Sequence, residues 1–278
     1  MPELPEVETV ASGLRELLIG ETIKGAQVLR EQSVAYPLNK RKFCQALGAR
    51  RVISVSRRGK YLLIDLSEGD MLVVHLRMSG RLLVKKAGSA PDRFLRVRIA
   101  LESGKELHFE DMRVFGRIWY VPERADLLDI VSGIKSLGVE PLDDLDYAYL
   151  KMRLKGKSQP IKNALLDQRI IAGIGNIYAD ESLFLAGIRP DRKAGSLKPV
   201  ELKRLVTTVK SVLSEAIEQG GSTLRDYRKA DGVNGNYQSQ AWVYGRFAQD
   251  CRKCGSGSKI ERIKLAGRST HYCPKCQK

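Results

Sequence analysis

Met1-Pro2-Glu3-Leu4-Pro5-Glu6-Val7-Glu8-Thr9-Val10 opens the chain, and the reading of every later motif depends on it. Val7, Val10, Leu14, Leu17 and Leu18 recur at helical spacing, Pro5 suits a first turn and Gly20 ends the run, which predicts an amphipathic helix of about four turns. Pro2 stands just ahead of it. A small second residue permits removal of Met1, and a chain then beginning at Pro2 ends in a secondary amine. Amino termini titrate near ~7.7–8.0 against ~10.4 for lysine, so a useful fraction is an unprotonated nucleophile at neutral pH. Attack on a carbonyl carbon or a sugar C1′ gives an iminium ion. Glu3 and Glu6 are at hand as acid/base partners. The same acids, with Glu8, also complement a helix dipole, and these residues alone leave both readings open.

Composition narrows the class. The 278 residues, 43% of them hydrophobic, suffice for two modest cores. Lys and Arg number 48 against 32 Asp and Glu, a net charge of +16, which points to a polyanionic partner, nucleic acid first. No charged-then-apolar leader opens the chain and no run of about 18 apolar residues occurs, so the expectation is a cytoplasmic protein with no membrane partner. Disulfides fit that compartment poorly.

Cysteine spacing is the most specific signal that needs no context. Cys251-x2-Cys254 and Cys273-x2-Cys276, with 18 residues between them, match the two-knuckle pattern of a four-cysteine zinc site. Four protein ligands leave no open position, so the expected ion is structural, one Zn(2+) per chain. Residues 241–278 carry nine Lys and Arg against two acids, the charge of a ribbon that reads or anchors nucleic acid. His271 is near but unneeded. Cys44, in an apolar helical stretch, is expected to be a buried free thiol.

From Thr22 to about Val121 short β-rich runs (22–30, 50–57, 60–66, 71–76, 81–85, 94–101, 105–110, 116–121) alternate with Gly59, Gly69, Gly80, Gly104 and Gly116. That punctuation favours an antiparallel sandwich over β/α units. Lys60 falls in a basic turn that is either solvated surface or site. Met78, in His75-Leu76-Arg77-Met78-Ser79-Gly80-Arg81, is either core or a flexible wedge able to fill the gap left by an extruded base. Asp111-Met112-Arg113-Val114-Phe115-Gly116 forms a second loop. Beyond a linker at 122–129 the texture turns helical, through 132–137 and 144–155. Gly173-Ile174-Gly175 then presents N–H groups at a helix start, a phosphate seat, with Asn176 as cap, phosphate ligand or both. Leu202 to Ile217 reads as a long core-facing helix. Residues 220–240 lose periodicity and fill with small polar residues, as lids and disordered segments do.

Pro2–Val10 closely resembles the amino terminus of formamidopyrimidine-DNA glycosylases, and the Met78 and Arg113–Phe115 loops, Pro160–Gln168, Ile174–Glu181 and the cysteine ribbon follow in that family's order. The resemblance covers essentially the whole chain. It implies an α+β fold: a catalytic domain at 1–125 made of the amino-terminal helix and an antiparallel β-sandwich, a helix-two-turn-helix domain at 130–220, a lesion-capping loop at 220–240 and a zinc ribbon at 241–278. The implied activity is a bifunctional glycosylase/AP lyase of base excision repair, excising oxidised purines (formamidopyrimidines and 8-oxoguanine) through a Pro2 Schiff base and β,δ-elimination. By the same resemblance Glu3 handles protons, Lys60 contacts the lesion's phosphate and serves elimination, and Arg268 binds the flanking phosphates and assists the second elimination. Met78 and Phe115 wedge the vacated stack, Arg113 takes the orphaned base, and Lys157 and Asn176 contact DNA. The implied partner is double-stranded DNA containing oxidised bases or abasic sites, bound by a monomer associated with the nucleoid.

One departure concerns Arg93-Phe94-Leu95-Arg96-Val97, where the family commonly has Lys-His-x-His-Val with a DNA-contacting first histidine. Phe94 cannot donate a hydrogen bond, so either Arg93 or Arg96 supplies that contact or it is absent. Two rival readings remain. An endonuclease VIII-like enzyme would prefer oxidised pyrimidines, against which Leu4 and the Met78, Arg113 and Phe115 set argue. A non-enzymatic zinc-ribbon binder of damaged DNA would retain Met1.

Overall fold

The computed structural model describes residues 1–222 and 237–278, so most of the expected capping loop at 220–240 lies outside the described residues. The chain forms two compact units: Met1–Lys135 with the segment starting at Gly220, and Ser136–Gln219 with residues 237–278.

The first unit runs α1 (Leu4–Leu18), β1 (Ile23–Val28), β2 (Val34–Tyr36), α2 (Lys40–Leu47), β3 (Val52–Arg58), β4 (Tyr61–Leu66), β5 (Met71–His75), β6 (Gly80–Lys86), β7 (Leu95–Leu101), β8 (Lys105–Asp111), β9 (Arg117–Val121), α3 (Leu127–Ile130) and α4 (Ser132–Lys135). Two sheets, ordered β1-β7-β8-β6 and β2-β9-β5-β4-β3, enclose the core. Strand β7 shows why: Leu95, Val97, Ile99 and Leu101 are buried and their neighbours are not, the period of two that puts one face inward. Helix α1 contributes Val7, Val10, Leu14 and Leu18 to the same cluster as Leu62, Val74, Val97 and Phe109. Its register is set by polar ties as well. Arg15 Nε donates to Val55 O at 2.7 Å, and Glu8 accepts from Arg15 at 2.9 Å and from Arg57 at 2.8 Å.

Two details depart from the sequence reading. The short strand β2, which follows a polar stretch without alternation, pairs parallel with β9, so one pairing of the sandwich is not antiparallel. Cys44 is only half buried, on a helix whose inward face is carried by Phe43 and Leu47.

The second unit contains α5 (Tyr147–Leu154), α6 (Ile161–Leu166), α7 (Asn176–Ala186), α8 (Pro199–Glu218), α9 (Tyr237–Gln240) and the short strands β10 (Asp250–Cys251), β11 (Gly255–Lys259), β12 (Glu261–Leu265) and β13 (Arg268–Tyr272). Helix α8 buries Leu202, Leu205, Val209, Val212, Leu213 and Ala216 at helical spacing. Helix α7 stops at Gly187, whose φ of 66° is the left-handed cap that glycine adopts most readily. Among the described residues no helix is long and apolar enough to cross a membrane.

Candidate active site and nucleic-acid contacts

In the first unit the start of α1 is held by its own carboxylates. Glu3 is the N-cap, and its N–H donates to Glu6 Oε2 at 2.8 Å. The other oxygen of Glu6 accepts the N–H of Ser222 at 2.8 Å and its hydroxyl at 3.1 Å. Gly221, at φ +77°, lies so close that an added Cβ would sit 3.0 Å from Glu6 Cγ. Glu6 and Glu8 are therefore fastening groups, whereas Glu3, 4% exposed, stands next to Pro2 at the very head of the helix. Met1 acylates the Pro2 nitrogen in the described chain.

Lys60 occupies the two-residue turn between β3 and β4, with Gly59 at φ 57° and Arg58 paired to Tyr61 across the hairpin. It is 6% exposed, so the solvated-turn reading fails. His75, which the sequence reading passed over, ends β5 opposite Tyr61, with the rings edge-on at 4.5 Å. The Arg77 N–H donates to His75 Nδ1 at 3.0 Å, leaving the ring proton of a neutral imidazole on Nε2. Burial, with the positive charges of Arg77 and Lys60, lowers its pKa from 6.5 to about 3. The ring is thus a neutral donor at pH 7. The only sequence signal was a lone histidine where an apolar strand meets a glycine turn.

Met78 and Phe115 are 40% and 49% exposed, which removes the core reading for Met78. The Arg113 guanidinium is stacked over the Phe115 ring at 4.7 Å. Beside Phe94, Arg96 Nε donates to Asp111 O at 2.7 Å and so supports this loop, while Arg93 is exposed and lies 4.5 Å over the Phe94 ring.

In the second unit the cap of α7 is Gly175, in extended conformation, and Asn176 is the first helical residue, not the cap. Its Nδ2 donates to Ser269 O at 3.0 Å, which ties the helix start to the hairpin carrying Arg268. Gln168 braces the glycine turn, accepting from Gly173 N at 2.9 Å and donating to Ile174 O at 2.8 Å. The hairpin is fastened from beneath by the fully buried Lys162, whose Nζ reaches Asp180 Oδ1 at 2.6 Å, Thr270 Oγ1 at 2.9 Å and Ser269 O at 3.0 Å. Asp180 Oδ2 in turn accepts the His271 N–H at 2.9 Å. Arg268 is exposed at the tight turn Ala266-Gly267, where φ is 45° and 77°. Lys157 follows α5, its carbonyl accepting the Gly195 N–H at 2.9 Å, and among the described residues it makes no hydrogen bond to Asn176 or Arg268.

The four cysteine sulfurs lie within 4.8 Å of one another, with Cys251–Cys276 at 3.8 Å and Cys254–Cys273 at 3.7 Å. Tetrahedral ligation at ~2.3 Å per Zn–S bond requires sulfurs about 3.8 Å apart, far beyond a disulfide's ~2.05 Å. The donor set fits a closed structural zinc site. Glu181 on α7 anchors the chain entering the ribbon by accepting the N–H groups of Trp242, Val243 and Tyr244 at 2.7, 2.9 and 2.9 Å.

Three family models match the chain in order. The formamidopyrimidine-DNA glycosylase N-terminal domain matches residues 1–118, the formamidopyrimidine-DNA glycosylase H2TH domain 137–228, and a zinc finger found in FPG and IleRS 249–278. A formamidopyrimidine-DNA glycosylase of Gloeobacter violaceus is 50% identical over 282 residues, covering 100% of this chain and 98% of the relative. The crystal structure of the MutM (Fpg) protein from Thermus thermophilus superposes with a TM-score of 0.88 at 39% identity, covering 99% of this chain and 98% of that one. A Lactococcus lactis Fpg mutant in complex with a Fapy-dG containing DNA gives 0.91 at 31% identity, covering 100% of both. Full-length identity at this level, with all three models in order, means that the chain belongs to the formamidopyrimidine-DNA glycosylase family.

Proposed function

We propose that the chain excises oxidised purines from duplex DNA, formamidopyrimidines and 8-oxoguanine above all, and then cleaves the resulting abasic site. The carrying observation is that two charged side chains, Glu3 and Lys60, are buried in the unit whose loops expose Met78, Arg113 and Phe115 to solvent. Buried ionisable groups beside a candidate nucleophile are candidates for chemistry, and exposed wedges suit a flipped nucleotide. With Met1 removed, the Pro2 nitrogen attacks C1′, the glycosidic bond breaks and the base leaves with a proton. Glu3, beside Pro2, serves as the proton-handling group. The C1′–O4′ bond of the resulting aminal then opens with a proton delivered to O4′, and the iminium ion so formed acidifies the C2′ hydrogen, so the 3′ phosphate departs by β-elimination and the 5′ phosphate by δ-elimination. Lys60, Arg268, Lys157 and Asn176 hold phosphates, and neutral His75 donates to one without adding charge. The zinc holds the ribbon that presents Arg268 and takes no part in the chemistry.

The catalytic unit is read as 1–125, the helix-two-turn-helix as 130–220 and the ribbon as 241–278, with residues 220–240 as the capping loop. The protein acts as a monomer on nucleoid DNA in the cytoplasm. Duplexes carrying one formamidopyrimidine, one 8-oxoguanine or one oxidised pyrimidine test the lesion class. The purine lesions are expected to be cut faster, leaving a one-nucleotide gap with phosphate on both ends; faster cutting of the pyrimidine would assign the endonuclease VIII-like preference.

A further inference from the structure

Asp111 ends β8 fully buried, and both oxygens of its carboxylate accept from the two loops that carry the wedge residues. Its Oδ1 accepts the Ser79 hydroxyl at 2.6 Å and the Arg113 N–H at 3.1 Å, and its Oδ2 accepts the Gly116 N–H at 2.7 Å. Ser79 Oγ itself accepts the Arg113 N–H at 3.1 Å, so a hydroxyl from the Met78 loop and a carboxylate from the Arg113 loop share one donor. The backbone of Asp111 is locked too: its carbonyl takes Arg96 Nε at 2.7 Å and its N–H donates to Phe94 O at 2.9 Å. Glycine is required on both flanks. An added Cβ on Gly116 would stand 3.1 Å from Asp111 Oδ2 and closer still to Phe109, and one on Gly80 would overlap the Leu76 carbonyl.

The loops so clamped are strained. Arg77 and Val114, next to Met78 and between Arg113 and Phe115, have φ of 55° and 56°, a region β-branched valine rarely enters. Such conformations persist only where surrounding bonds over-determine them. Here the Asp111 carboxylate takes the N–H on either side of Val114–Phe115, and His75 Nδ1 takes the N–H of Arg77.

We propose that Asp111 and Ser79 are positioning residues that latch the two wedge loops together, so that Met78, Arg113 and Phe115 enter the duplex as one preorganised unit. The latch rests on the wedge reading of those three residues. A carboxylate that receives donors from two loops couples their positions, and coupled wedges meet the unstacking cost with no separate ordering of each loop. Asp111→Asn replaces one acceptor by a donor that confronts either the Ser79 and Arg113 donors or the Gly116 N–H. It is expected to lower the single-turnover excision rate on the order of 10- to 100-fold with little change in binding to undamaged duplex.

The deciding experiment is a double-mutant cycle between Met78→Ala and Phe115→Ala, run in the parent and in Ser79→Ala, reading single-turnover excision of one formamidopyrimidine in a duplex. If the loops act as a unit, the parent double variant loses little more than the worse single variant, whereas in Ser79→Ala the two losses multiply. Ser79→Thr, which keeps the hydroxyl, is expected to restore the parental pattern. Losses that multiply already in the parent, or coupling that survives Ser79→Ala, overturn the latch while leaving the wedges standing. Single variants that excise at the parental rate overturn the wedge reading and the latch with it. Asp111→Asn serves as the second probe, and a folded variant excising at the parental rate also overturns the latch.

Discussion

The Glu6 carboxylate reaches across the chain to Ser222, accepting its N–H at 2.8 Å and its hydroxyl at 3.1 Å while its second oxygen accepts the Glu3 N–H at 2.8 Å. One buried side chain thus holds both the head of α1 and the first residues of the expected capping loop. Glu6→Gln can still accept from Ser222 but turns an amide N–H2 toward the Glu3 N–H. It is expected to cost about 1–3 kcal/mol of unfolding free energy, read by urea denaturation, and to slow excision. Unchanged stability would show that neither bond matters.

Acidification is expected to weaken the fold through His75. Its folded pKa of about 3 lies below the ordinary 6.5, so between these values the unfolded chain binds the proton and the folded chain does not. Stability present above pH 6.5 is therefore lost as pH falls toward 3, at up to about 1.4 kcal/mol per pH unit. Urea midpoints at pH 7.5 and pH 5 should separate the parent from His75→Gln by about 1–2 kcal/mol. Identical pH slopes would contradict the burial argument.

Metal removal should unfold the ribbon, because formation of the site and local folding are one event. About one zinc per chain is expected by elemental analysis. Cys251→Ser, or chelation, should abolish tight DNA binding, since Arg268 is carried by the strands that the thiolates close. Full DNA affinity in the metal-free protein would contradict this role.

Phosphate-binding and wedge residues should separate by salt and by lesion. Replacing Arg268, Lys60 or Lys157 with Ala should weaken binding to damaged and undamaged duplex alike and flatten the plot of log affinity against log salt by about 0.9 for each phosphate no longer neutralised. Arg113→Ala should instead spare undamaged binding and relax the opposite-base preference, worth on the order of 1–3 kcal/mol.

Much of this was legible in the sequence because local rules decide it. The period of α1, the alternation in β7 and the spacing of Cys251, Cys254, Cys273 and Cys276 each follow from the geometry of one element. What was not legible depends on tertiary proximity. Asp111 and Ser79 are 32 positions apart, Lys162 and Thr270 are 108, and a polar residue at either site carries no periodic signal. The N-cap assigned to Asn176 failed for a related reason: Gly175 takes the extended cap conformation, and the amide turns to the distant Ser269 carbonyl. The parallel pairing of β2 with β9 likewise joins Val34 to Ile118, far apart in the chain.

The most direct test of the account is borohydride trapping on duplex DNA carrying a single 8-oxoguanine, followed by peptide mapping of the covalent complex. Reduction of the iminium ion is expected to leave the sugar on the nitrogen of Pro2, in chains from which Met1 has been removed. An adduct mapped to the buried Lys60 amine would contradict the central assignment.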